Sequence, residues 1–129
     1  MSKKTAKAFR LKDRIKSFGY AFKGIVHALQ NEHNLMIHFT LAIAAIAFGF
    51  WLNINQTEWL FVIVAIGFVL VSELFNSAIE VLVDLVSPER NPKAGLIKDI
   101  AAGAVLISAI TAAIIGLFIF IPKIINLCF

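Results

Sequence analysis

Three long apolar runs, each poor in charge, set the pattern of the chain. Residues 35–52, LMIHFTLAIAAIAFGFWL, hold no formal charge. A helix that crosses a bilayer needs about 20 mostly apolar residues, within roughly 17–25, so this run predicts a first span. A polar break from Asn53 to Glu58 follows, rich in turn formers. Trp51 and Trp59 stand at its edges, where an interfacial aromatic belt sits. The second run opens at Trp59, stays free of charge through Ser72, and continues around Glu73, Glu80 and Asp84 to Val86. Pro88 and Pro92 bracket a loop that ends near Lys98-Asp99. The third run, 100–121, has 22 residues and no charge, and Pro122 and Lys123 close it.

The first 34 residues follow another rhythm. Ile15, Phe18, Phe22, Ile25, Val26 and Leu29 recur at helical spacing among basic residues. Such a basic amphipathic helix is suited to lying in a membrane interface. The expected organisation is a basic surface segment at 1–34, a three-helix membrane domain at 35–121 and a short tail at 122–129. The spans fall at about 35–52, 59–86 and 100–121. The fold class is all-α membrane protein, three transmembrane helices preceded by an amphipathic surface helix.

Composition agrees. The chain has 129 residues, 60% apolar and 16% charged, with a mean hydropathy of +0.86. A soluble domain is about 45–50% apolar and about 25% charged, and a disordered chain is less apolar still. One cysteine, Cys128, excludes an intrachain disulfide. His27, His33 and His38 are six and five residues apart, which turns neighbouring pairs away from each other, so no zinc set is expected. His38, inside the first span, reads as a hydrogen-bonded interface residue. Neither glycine-rich nucleotide motif occurs. The first apolar run starts too late for a secretory signal.

Charge placement fixes the expected orientation. The N-terminal segment holds eight of the twelve basic residues: Lys3, Lys4, Lys7, Arg10, Lys12, Arg14, Lys16 and Lys23. Arg90, Lys93 and Lys98 mark the second loop, and the break at 53–58 has none. The positive-inside rule then places the N-terminus and the second loop in the cytoplasm and the C-terminus outside.

The acidic residues carry the chemistry. A charge at mid-span costs about 2.5–3.5 kcal/mol on insertion scales, so an ionisable residue there points to function. At about 100° per residue, Glu73, Asn76, Ser77, Glu80, Asp84 and Ser87 fall within a stripe of roughly 100°. Glu32, just before the first span, and Lys98-Asp99, before the third, come to a depth similar to that of Glu80 and Asp84. Clustered carboxylates suit Mg²⁺, which typically uses one or two of them plus substrate phosphates. Glu73, about 10 Å deeper than Glu80, is placed to take a proton from an alcohol at the lipid boundary. Lys98 is placed to steady a polyphosphate. Metal, base and cation are the components of phosphoryl transfer to a lipid hydroxyl. Two other readings stay open: a small proton or ion conduit, and interhelical polar contacts that only hold an assembly together.

The octapeptide Glu73-Leu74-Phe75-Asn76-Ser77-Ala78-Ile79-Glu80, followed by Val83-Asp84, resembles the signature of the bacterial integral-membrane diacylglycerol kinases, which include undecaprenol kinases. The resemblance extends to Lys98-Asp99, to Ala101-Ala102-Gly103-Ala104, and back to Asn31-Glu32 and Lys16 with Gly19-Tyr20, covering roughly residues 14–120. It implies an ATP- and Mg²⁺-dependent lipid kinase of the bacterial inner membrane. It also implies a homotrimer with active sites between subunits at the cytoplasmic face, and no nucleic-acid partner. Carried over by position, Glu73 resembles the general base and Asn76 the residue that holds the site in shape. Glu32 and Glu80 resemble the metal carboxylates. Lys98, Asp99, Tyr20 and Glu89 resemble nucleotide-side positions, with Asp84 and Ser77 in support. The chain departs from the pattern near its N-terminus, where Asp13 stands in the direct position of a family arginine and Arg14 one residue beyond. His38 and Ser87-Pro88-Glu89 look more like the undecaprenol branch, which puts undecaprenol ahead of diacylglycerol as acceptor.

Overall fold

The structure, a computed structural model, describes residues 10–129, so Lys3, Lys4 and Lys7 lie outside the described residues. Four helices follow in chain order: α1 (Leu11–Asn31), α2 (His33–Trp51), α3 (Gln56–Val86) and α4 (Pro92–Cys128). About nine tenths of the described residues are helical and none is in a strand. Helices α2, α3 and α4 are long and apolar enough to cross a membrane.

Helix α1 is the expected amphipathic surface element. It meets α2 and α3 and buries Ala28. Leu11, Ile15, Phe18 and Phe22 stay open along its flank, at the i, i+4, i+7 spacing of an interfacial helix. The helix stops at Asn31 because Glu32 takes an extended backbone conformation, φ −110° and ψ 108°. Helix α2 starts directly after it, two residues ahead of the apolar run. Glu32 is therefore the whole elbow between the two helices. Its side chain makes no capping hydrogen bond, so its carboxylate is not used up by the helix end.

The opposite end of α2 is built as a tight stop. Asn53 adopts a left-handed conformation, φ 48°, which asparagine tolerates better than most residues. Ile54 N–H donates to the Gly49 carbonyl at 3.1 Å and Asn53 N–H to that of Phe50 at 3.3 Å, the paired bonds of a Schellman motif. Asn55 then caps α3 reciprocally with Glu58. Glu58 N–H donates to Asn55 Oδ1 at 2.9 Å, and Asn55 N–H donates to Glu58 Oε2 at 2.7 Å. The ring of Trp59 turns inward onto buried Gly49 and lies 4.8 Å from that of Phe50. Trp51 alone keeps the open, belt-like position.

Two expected boundaries move. Pro92 reads as a loop residue by composition, but it occupies the first turn of α4, with the Asn91 side chain accepting from Lys93 N–H. Proline is pre-organised for that position because its missing N–H has no partner to lose. Lys98 and Asp99 therefore lie on a helix. At the other end, α4 continues through Pro122 to Cys128. A buried or lipid-set helix tolerates an internal proline when the released carbonyl is satisfied locally. Lys123 closes nothing; its Nζ lies 3.1 Å from Glu58 Oε2, tying the end of α4 to the start of α3.

Helices α3 and α4 form the main seam. From α3 come Val62, Ala65, Val69, Glu73, Asn76 and Val83, and from α4 come Ala101, Val105, Ser108 and Ile119. Steps of three and four residues keep each set on one face. Ile54, Val62 and Ile119 form a buried cluster at the tight-turn end, with Trp59 and Phe120 against it.

Candidate active site

The acidic stripe continues the packing face of α3. Half of that face is Val62, Ala65 and Val69; the other half is Glu73, Asn76 and Glu80. The helix phase therefore turns Glu73 fully and Glu80 partly inward, while Asp84, further along the stripe, stays exposed. Glu73 is 1% exposed. Ser77 donates to the Glu73 carbonyl at 3.0 Å, so its hydroxyl serves the backbone of α3. The Asn76 amide donates to Glu80 Oε1 at 2.8 Å, one turn along. Near the end of the helix, Lys98 donates to Asp84 Oδ1 across the α3–α4 seam.

These groups form one electrostatic neighbourhood. His38, Glu32 and Glu80 lie near enough to Glu73 to influence its carboxylate, as Asp84 and Glu80 do to influence Lys98. The elbow thus brings Glu32 from the α1–α2 boundary toward carboxylates that lie more than forty residues away in sequence. Among the described residues, no three His, Cys, Asp or Glu side chains converge tightly enough to enclose a metal by themselves. The donor set still fits Mg²⁺, which takes one or two protein carboxylates and completes its shell with water and phosphate oxygens.

Among the described residues, two buried oxygens lack a hydrogen-bond partner: Glu73 Oε1 and Asn76 Oδ1. A buried acceptor left unmatched costs about 1–3 kcal/mol, and more when charged. Two such atoms one turn apart, beside further carboxylates, mark a place prepared for a donor or a cation. His38 Nε2 lies 3.2 Å from Glu73 Oε1, close but off the line of a hydrogen bond. Sequence reasoning placed His38 in an interface without naming its partner. Its position six residues after Glu32, on the inward side of α2, was the available signal. His38 also lines an apolar cleft of about 310 Å³ between α2, α3 and α4, with Ala42, Val69, Ala112 and Phe120 among its walls.

The remaining expected residues stay apart from this cluster. Tyr20 is 70% exposed on α1, and Glu89 and Asp99 are exposed near the α3–α4 loop. Arg14 and Asp13 lie in the first turns of α1.

Three spanning helices beside a surface helix, with a buried carboxylate and a rim of acids and one lysine, define a small multi-pass membrane protein with a polar side-chain cluster at one end. Residues 19–120 match the family described as prokaryotic diacylglycerol kinase. The chain is 41% identical over 108 residues to undecaprenol kinase of Bacillus subtilis, covering 84% of this chain and 88% of that one. It is 33% identical over 100 residues to diacylglycerol kinase of Escherichia coli K12, covering 78% and 82%. It is 34% identical over 112 residues to diacylglycerol kinase of Synechocystis, covering 86% of this chain and 64% of that one. The chain belongs to the prokaryotic diacylglycerol kinase family, and it is an ATP-dependent lipid kinase of the bacterial inner membrane.

Proposed function

We propose that the protein transfers the γ-phosphoryl group of ATP to a lipid hydroxyl, that of undecaprenol ahead of diacylglycerol, with Glu73 as general base. The acceptor assignment is supported by the higher identity to the undecaprenol kinase than to the diacylglycerol kinases. The catalytic assignment rests on one observation above all: a carboxylate buried in the helix seam whose Oε1 accepts no hydrogen bond.

In this reading the lipid hydroxyl reaches Glu73 from the membrane side. Its O–H bond breaks as its oxygen attacks the γ-phosphorus, and Glu73 keeps the proton. The bond from the γ-phosphorus to the bridging oxygen breaks, and ADP leaves with that electron pair. Glu32 and Glu80 would hold Mg²⁺, which, when bound, neutralises charge on the phosphates. Asn76 holds Glu80 in place through its 2.8 Å hydrogen bond. Lys98 lies at the same end, within the field of Glu80, where it can turn from Asp84 to a phosphate oxygen.

Tyr20, Glu89 and Asp99, all exposed, are assigned to the nucleotide side of a site shared with a neighbouring subunit. A trimeric assembly, as the family resemblance implies, would supply what one chain leaves incomplete. The basic residues at the Glu80 end, Arg90, Lys93 and Lys98, support a cytoplasmic placement of the site and N-terminus, with the C-terminus outside. An ion conduit gains no support, because the buried residues of the other half of the seam, Val62, Ala65, Val69 and Ile119, are all apolar.

The test is transfer of labelled phosphate from ATP in the presence of Mg²⁺, with undecaprenol and diacylglycerol offered side by side. Glu73→Gln should lower turnover by roughly 10²–10⁴-fold, the size of a general-base contribution. Full activity in that variant would overturn the base assignment.

A further inference from the structure

A base that takes one proton per turnover must release it before the next. Glu73 is poorly placed to do so alone, because its side chain is 2% exposed whereas that of His38, 3.2 Å away, is 23% exposed. The groups facing Glu73 are few. From α3 there is Glu80 and from the elbow Glu32, both committed to the cation in the reading above. Asn76 has an amide, which does not carry protons at neutral pH. The buried α4 residues of the polar half of the seam, Ala101, Val105 and Ser108, hold no titratable group, and Ser108 donates to the Val105 carbonyl. From α2 comes His38, whose imidazole both reaches Glu73 Oε1 and lines the apolar cleft.

We infer that His38 is a positioning residue that orients Glu73 and carries its captured proton out of the seam. This rests on the reading of Glu73 as base. A neutral imidazole presents a lone pair on one ring nitrogen. With that lone pair on Nε2, His38 accepts the proton from Glu73 Oε1, which returns to carboxylate. As the imidazolium turns away from Glu73 it gives that same Nε2 proton to a water at the outer edge of the helix seam, which restores the Nε2 lone pair for the next turnover and nets one proton released. No oxidant or further reactant is required. The off-line geometry at 3.2 Å suits a resting state, since catalytic hydrogen bonds often tighten only with substrate bound.

The experiment compares wild type, His38→Ala, His38→Gln and Glu73→Gln across pH, each with and without added imidazole. The cleft of about 310 Å³ beside His38 leaves room for a free imidazole once the side chain is cut back to alanine. The expected result for His38→Ala is a kcat lower by about 10-fold or more with little change in the KM for ATP. Imidazole then restores kcat in proportion to its free-base fraction, so that the pH profile follows the added amine. His38→Gln, which can hold a hydrogen bond but cannot relay a proton, stays slow. Wild-type kcat in His38→Gln overturns the relay, as does a His38→Ala loss that imidazole leaves untouched. Should His38→Ala not fold, the His38→Gln rate decides alone. An active Glu73→Gln defeats the base reading itself; an inactive one beside unimpaired His38 variants defeats only the relay.

Discussion

Alanine at position 49 gives a sharp test of how the tight-turn end is packed. Gly49 lies in the last turn of α2, and a methyl group built on it meets Trp59 Cη2 at 2.7 Å and Cζ2 at 2.9 Å, with Ile54 Cδ1 at 3.1 Å. Carbon atoms pack comfortably at about 3.5–4.0 Å, so the indole must retreat by roughly 1 Å. It has little room, since Phe50 faces it at 4.8 Å and Ile54 belongs to the buried cluster it packs on. Overpacking of this kind costs about 1–3 kcal/mol. Alanine in place of glycine in a helix returns about 0.5–1 kcal/mol. The net expectation for Gly49→Ala is a loss of about 1 kcal/mol, read by reversible unfolding in mixed micelles. The decisive comparison is the double-mutant cycle with Trp59→Leu. With the indole gone, Gly49→Ala should become neutral or stabilising, giving a coupling of about 1–3 kcal/mol. Gly49→Ala at least as stable as wild type, or a coupling near zero, would refute the packing argument.

Asn55→Ala removes the reciprocal cap of α3 and should lower stability by about 1 kcal/mol, while turnover per folded molecule stays unchanged in a coupled ADP-release assay. Asn76→Leu takes away the donor on Glu80 together with an orphaned acceptor. Stability should hold or rise, whereas the Mg²⁺ concentration for half-maximal rate increases; an unchanged Mg²⁺ dependence would disconnect Asn76 from Glu80. Lys98→Met should raise the KM for ATP roughly ten-fold, the size of one lost charge-assisted hydrogen bond, with a smaller change in the KM for lipid.

The spans and the stripe were legible because both depend on period alone. Apolar run length fixes what can cross a bilayer, and a 3.6-residue period fixes that Glu73, Asn76 and Glu80 share a face. Helix ends were less legible, because they depend on particular hydrogen bonds. Pro92 and Pro122 carry the same composition signal, yet one opens α4 and the other sits within it. Trp59 was legible as an aromatic near an interface but not as the partner of Gly49, since that contact needs the left-handed backbone at Asn53. The contact of His38 with Glu73 joins two helices through a turn geometry that periodicity does not encode. Glu32 was legible as an acid just before the first span; that it forms the entire α1–α2 elbow was not.

The two halves of the α3 face divide the work of the fold. Burying Glu73 and leaving its Oε1 and the Asn76 oxygen unmatched destabilises the polar half by several times the cost of a single lost hydrogen bond. Such a seam stays closed only if the other half holds it. That half has a Schellman stop, a reciprocal cap, the Trp59 ring on Gly49 and the Lys123–Glu58 pair, all within one turn of the α2–α3 connection. Rigidity is thus concentrated about twenty residues from Glu80, roughly 30 Å along α3 at about 1.5 Å per residue. The polar half would then be able to open without unfolding the helix pair. On this argument, substitutions that loosen the tight-turn end should lower stability while leaving the KM values near wild type, and those in the polar half should do the reverse.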